Sequence, residues 1–151
     1  KRKSGGNSGE RKPPIKKEKG DQKTIDGISL PDITEVQSGD ENWETYEFNE
    51  FTSLHSVYNG EEIGYSFYLN MHNVYLLNQI KENLQNTDPK IIKAQYKYAN
   101  TLIAMSVIHL VKEKKIEINE EVGEDDLIKN ATSCVSMIII PMISYLGDLK
   151  G

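Results

Sequence analysis

The chain has 151 residues, 18 Lys and Arg against 23 Asp and Glu, a formal net charge of −5 and 37% hydrophobic residues. That is room for one ordinary domain plus a tail, and not for two full domains. Residues 1–23 hold nine basic and three acidic residues and residues 24–151 hold nine basic and twenty acidic, so the foldable part would repel phosphate. This argues against a compact basic nucleic-acid-binding domain, and the single Cys134 excludes an internal disulfide and a cysteine-built zinc cage.

The first methionine is Met71, and the chain opens on Lys1-Arg2-Lys3-Ser4-Gly5-Gly6-Asn7-Ser8-Gly9. This composition is that of a linker and has no apolar h-region, so a piece of a longer protein is expected rather than a secreted one. Residues 1–37 are expected to be a disordered basic linker, and 38–151 a helix-rich domain. Lys16-Lys17-Glu18-Lys19 is expected to be solvated; a nuclear-localisation-like patch or a contact with nucleic acid is the sharper alternative. Leu30, Ile33 and Val36 space apolar residues for an extended strap, and Pro31 argues against a central strand. From 43 to 51, aromatic residues recur at Trp43, Tyr46, Phe48 and Phe51 with acids between them, predicting a short strand or an irregular docking segment.

Gly64–Asn70 alternates cleanly, with Tyr65, Phe67 and Leu69 on one face, and is the clearest strand. Asn59-Gly60 upstream predicts an antiparallel hairpin of 54–58 with 63–69 around a loop of four residues. The period then changes: Val74, Leu77, Ile80 and Leu84 predict a helix over about 73–85, with Asn73 as N-cap. Asp88-Pro89 caps a second, over about 89–114. Its run Leu102–Val111 is apolar nearly all round, predicting burial on most sides. Lys115–Asn119 alternates as a short strand or a turn. The last helix, about 124–146, starts on acids that suit the dipole and is expected to kink at Pro141, with Gly147 as C-cap. Sixteen residues with a proline and three serines are too short and too polar for a membrane span, so Ala131–Leu146 is a core helix. The fold class is α+β and helix-rich, with three main helices and one short antiparallel strand pair.

The chemistry is sparse, with no Gly-rich phosphate loop, nucleophile elbow or HExxH. His55, His72 and His109 are far apart, and His109, within the apolar run, is expected to be a core histidine with a hydrogen-bonded neighbour. Asn70, His72 and Asn73 form the one polar cluster worth inspecting. They are expected mainly to satisfy backbone groups at a strand-to-helix junction, with a small polar site as the functional alternative. Cys134 is expected to be buried filler, and Glu120-Glu121 with Glu124-Asp125-Asp126 a solvated acidic loop that lacks the spacing of a calcium site. Tyr65, Tyr68, Tyr75, Tyr96 and Tyr98 beside Lys93 and Lys97 could stack bases, but more often rim a core or an interface. No residue is assigned to catalysis, a cofactor or a metal.

Trp43, then Phe67-Tyr68-Leu69-Asn70 with Asn73, Gln95-Tyr96-Lys97-Tyr98 with Leu102-Ile103, and Ile140-Pro141-Met142-Ile143 with Leu146-Gly147-Asp148-Leu149 occur in an order that spans residues 30–149. In that order the chain resembles the C-terminal region of large ATP-binding proteins of the GHKL (Bergerat-fold) superfamily, which includes gyrase B subunits and histidine kinases. The resemblance implies an ATPase domain upstream, where ATP and Mg would bind, since Glu82–Asn86 fits E-x-x-x-N by letters but no D-x-G-x-G follows. This segment would be a non-catalytic, cytoplasmic accessory module for interaction or transduction, its partner the upstream ATPase domain or a second protomer. Trp43, Tyr46, Phe48 and Phe51 are the candidate interface. The alternative is a free-standing adaptor whose basic tail attracts protein or nucleic acid; a small enzyme ranks third, and no membrane association is expected.

Overall fold

The structure is a computed structural model that describes residues 24–25, 28–118 and 122–146, with side chains placed for 30–118 and 122–142. It is α+β and helix-rich. A two-strand ladder, β1 (Thr24–Ile25) with β2 (Ile28–Ser29), precedes a three-stranded mixed sheet. In that sheet β3 (Asp32–Val36) runs parallel to β5 (Tyr65–Asn70), and β4 (Leu54–Tyr58) pairs antiparallel on the other side of β5.

The domain boundary expected at residue 38 is therefore wrong by at least six residues. β3 belongs to the sheet, Ile33 pairs beside Phe67, and Val36 is buried. Its edge position is the one Pro31 allows, because the proline needs no ladder donor there. The predicted hairpin forms, but its loop runs from Asn59 to Gly64. Gly60 and Gly64 both take positive φ to close it, with the Gly64 N–H donating to the Gly60 carbonyl at 2.8 Å.

Segment 43–51 forms no strand. Its start is the short helix α1 (Glu41–Thr45), which ends in a Schellman turn. The Phe48 N–H donates to the Trp43 carbonyl at 3.0 Å and the Glu47 N–H to the Glu44 carbonyl at 3.1 Å, with Glu47 in left-handed backbone at φ 50°. Trp43 and Phe48 supply the apolar contact of that motif, their ring centroids 5.8 Å apart. α2 (Val74–Glu82) and α3 (Pro89–Lys112) begin at their predicted caps, the Asn73 side chain accepting from Tyr75 and Leu76 N–H and Asp88 from Lys90 N–H. α3 ends in a second Schellman turn, with Lys114 at φ 52°. Residues 115–116 form a bend and 117–118 are irregular rather than strand, and Asn119 lies outside the described residues.

α4 (Glu124–Leu146) runs through Pro141 without ending. It buries an i+4 row, Ile128, Thr132, Ser136 and Ile140, against α3, whose own row is Ile92, Tyr96, Asn100, Ala104 and Ile108. The expectation that α3 is buried on most sides fails: Tyr98 is 65% and Leu102 66% exposed. α2, α4 and the sheet are enough to cover only one face of so long a helix. Below the helices Leu54, Phe67 and Leu69 of the sheet are fully buried. Each such side chain contributes about 1.5–3 kcal/mol by leaving water.

Candidate functional site

The two candidate groups, Asn70, His72, Asn73 and the aromatic segment 43–51, meet at one place. Asn70 and Asn73 are fully buried and their side chains hold loop 49–53. Asn70 Nδ2 donates to the carbonyls of Asn49 at 2.8 Å and Thr52 at 2.7 Å, while its Oδ1 accepts from the His72 N–H. Asn73 caps α2 with Oδ1 and donates through Nδ2 to the Phe51 carbonyl at 3.1 Å. Asn49 closes the loop from within, its Oδ1 accepting from the N–H groups of Phe51 and Thr52. The Val74 N–H donates to the Glu50 carbonyl at 2.8 Å.

Beneath this loop the polar groups continue into the helical core. Asn73 Nδ2 donates to Ser53 Oγ at 3.3 Å, Ser53 Oγ to Ser136 Oγ at 2.7 Å, and Ser136 Oγ to Asn100 Oδ1 at 3.1 Å. Asn100 Nδ2 donates to the Tyr96 carbonyl, and the Tyr96 hydroxyl reaches the carbonyls of Asn70 at 2.9 Å and Ser53 at 3.3 Å. Burial holds the Tyr96 phenol well above its ordinary range. No buried side-chain donor or acceptor among the described residues lacks a partner. Such a network fixes the loop against α2, α3 and α4 at once. It leaves Asn70 and Asn73 no group free for a ligand.

What faces outward is a groove of about 620 Å³ between α1, loop 49–51 and the start of α2. Trp43, Phe51, Val74 and Leu77 form its apolar lining, and Ser38, Asn49, Glu50 and His72 its polar margin. Trp43 meets the exposed His72 edge-on, with ring centroids 6.2 Å apart. Phe51 is 51% exposed and Leu77 40%, so both present apolar surface to solvent. Of the four candidate interface residues, Trp43 and Phe51 line the groove. Phe48 is buried behind Trp43, and Tyr46 turns to the sheet.

There Tyr46 stacks on His55 at 4.6 Å and packs on Tyr68 at 4.2 Å. Its phenol is pushed up to about 12, first by the hydrogen bond with Tyr68 and then by burial. His55 Nδ1 lies 3.3 Å from Asp125 Oδ2. Ser56 donates both its N–H, at 3.0 Å, and its hydroxyl, at 2.7 Å, to Asp125 Oδ1. Because that hydroxyl bonds the carboxylate and not the imidazole, the order of a nucleophilic triad is not assembled. Asp125 instead caps the open edge of β4. Glu124 accepts from the Tyr65 hydroxyl at 2.6 Å, and burial with this bond raises the Tyr65 phenol. These first-turn acids were expected to be solvated, and their pairing with residues about sixty positions away carried no local signal.

Two further expectations are corrected. Cys134 is exposed, since it lies off the buried row of α4. His109 is only half-buried, because it sits beside that row near the open end of α3. The tyrosines share no single surface: Tyr96 is buried, Tyr98 points to solvent, and Lys97 is bound to Glu35 at 3.0 Å. Glu120, Glu121 and Gly147 lie outside the described residues. Among the described residues no group of His, Cys, Asp and Glu is placed to hold a metal ion, and no helix is long and apolar enough to cross a membrane. Comparison with protein-family models, curated proteins and solved structures returned no match.

Proposed function

We propose that this chain is a non-catalytic protein-interaction module whose contact site is the groove between α1 and α2. The observation that carries this reading is an apolar wall of half-buried Trp43 with exposed Phe51 and Leu77, beside a loop 49–53 that a fully satisfied buried network holds in place. A preorganised apolar site loses little entropy on binding. Glu50 lies in its lining and Asp40, Glu41, Glu44 and Glu47 are exposed on and beside α1, so the ligand it suits is a peptide segment with apolar anchors and flanking Lys or Arg. The sequence resemblance supports the larger setting, a cytoplasmic C-terminal accessory module of a GHKL-type ATPase. In that setting the upstream ATPase domain, which would hold ATP and Mg, or a second protomer supplies the segment.

Trp43 is the sole tryptophan and reports on the groove directly. A panel of short peptides, basic with proline or aliphatic anchors and acidic as controls, is titrated while Trp43 emission and amide shifts are followed. Basic members should saturate, weaken with salt, and lose about tenfold or more in affinity in Phe51→Ser, which removes an exposed anchor surface. Absence of saturation by every member, or shifts scattered over the whole surface, overturns the reading.

A further inference from the structure

A helix on the surface of a domain turns charged and polar side chains to water. α3 does not. Its 24 residues hold no Asp or Glu, and the fourteen from Tyr98 to Val111 hold no Lys or Arg either. One face meets the core through Ile92, Tyr96, Asn100, Ala104 and Ile108. The opposite face runs Ile91, Gln95, Tyr98, Leu102, Met105 and His109, at intervals that alternate between four and three. Ile91, Tyr98 and Leu102 of this line are exposed, and the other three are half-buried. Such spacing is the heptad seam of a two-stranded coiled coil, and it continues to Asp88 at one end and Lys112 at the other.

The seam complements itself in one direction. Set antiparallel on a copy of itself, about a two-fold axis at the level of Asn100, α3 stacks Tyr98 on Leu102, Gln95 on Met105 and Ile91 on His109. Each layer then occurs twice, once on either side of the axis. The outermost layer sets Asp88 of one copy against Lys112 of the other. A parallel pair would put Asp88 on Asp88 and Lys112 on Lys112, like charge on like. Asp88 uses Oδ1 to cap α3, leaving Oδ2 for the lysine, and Lys112 rests loosely over the Tyr65 ring at 6.0 Å on a stem long enough to turn. Ala99 and Thr101 flank the seam at the axis and are small enough for the helices to approach closely. The hydroxyls of Thr101 and Ser106 donate to the Lys97 and Leu102 carbonyls of their own helix, so covering them strands no donor. Lys97 is held away from the seam by Glu35.

We infer that a second copy of this chain covers the outer face of α3, in an antiparallel helix pair centred at Asn100. This surface is separate from the groove between α1 and α2, and the inference does not rest on what the groove binds. The paired stretch is about 36 Å long. One helix pair lies at the small end of specific interfaces, so the dimer forms with a dissociation constant on the order of 10 μM.

Sedimentation velocity of the full chain, from about 1 μM to about 200 μM, should show a monomer giving way to a dimer. Leu102→Glu sets a carboxylate against Tyr98 of the second copy on both sides of the axis and should weaken the dimer about thirtyfold or more. Because Leu102 is exposed, the thermal midpoint of the dilute variant should match that of the unaltered chain. Phe51→Ser, in the groove, should dimerise as the unaltered chain does. Orientation is read by oxidising Tyr98→Cys and Leu102→Cys, each combined with Cys134→Ser, alone and mixed. The mixture should cross-link about threefold faster or more than either variant alone, since a disulfide needs the two backbones close together. A chain that stays monomeric at about 200 μM overturns the inference. So does a dimer that Phe51→Ser weakens and Leu102→Glu does not, which would place the second copy in the groove. Faster cross-linking within either single variant than in the mixture overturns the antiparallel pair.

Discussion

Glu47 and Lys114 show how individual residues carry cost in this fold. Both sit one residue past a helix C-cap at positive φ, where a side chain crowds the backbone and glycine would not. Glu47→Gly should therefore stabilise the chain by about 0.5–1 kcal/mol, read as a higher urea midpoint with an unchanged slope; an unchanged or lower midpoint would show that the Glu47 side chain has a compensating contact. Tyrosines give a second residue-scale prediction. Tyr46, Tyr65 and Tyr96 are held above the ordinary phenol value of 10, Tyr46 at about 12. The unfolded chain releases these protons first, so stability is intact below pH 10 and falls as pH rises through about 12. Tyr96 and Tyr65, the buried pair, should carry most of this slope, and Tyr46 less because water reaches it. Tyr96→Phe should cost about 1–3 kcal/mol at neutral pH through its unpaired carbonyl partners, and should make the alkaline decline shallower. Urea unfolding at neutral pH and across the alkaline range checks both; an alkaline slope identical to that of the unaltered chain would remove Tyr96 as a cause.

Among the elements, β3 has the most to say. Deleting residues 1–37 removes an edge strand whose Val36 is buried and whose ladder with β5 is five residues long. The expected result is a large loss of thermal midpoint or failure to fold, whereas deleting 1–22 should leave the midpoint nearly unchanged at high ionic strength; equal midpoints for the two truncations there would show that β3 contributes nothing. The strand was hard to see in the sequence for a physical reason. Its partner is thirty-odd residues away, and Asp32-Ile33-Thr34-Glu35-Val36 alone shows only two apolar side chains. Helices and the hairpin were legible because their signals are local: the change of period at Val74, the caps at Asn73 and Asp88-Pro89, and the glycine turn at Gly60. The helix stops at Glu47 and Lys114 were not, since neither position holds the glycine that marks such a turn. Trp43 and Phe51 stand out in the sequence as a candidate interface because aromatic residues recur there in a segment bracketed by loops. The groove itself could not, because Val74 and Leu77 reach it only through folding, and Asn70 and Asn73 prove to be its supports rather than its lining.

The whole molecule has a net charge of −5 that hides its distribution, a basic segment followed by an acidic half and a helical half close to neutral. Unpaired carboxylates crowded around α1 repel one another over distances comparable to the Debye length, and that repulsion opposes the compact state. With residues 1–23 present, their positive charge stays within tether length and offsets part of this field. Without them the remaining chain carries −11. The thermal midpoint of a chain starting at Thr24 should therefore climb with added salt, by a few degrees between low and physiological ionic strength, while the full chain climbs less. The direction separates two origins of any tail effect. A tail that acts by contact alone would leave a truncated chain less stable at every salt concentration, with parallel curves. A tail that acts through charge gives curves that converge as salt screens the acidic half. Parallel curves in calorimetry across a salt series would refute the electrostatic account, and convergence would place the chain's principal long-range interaction between its basic N-terminal segment and the acidic half that follows it.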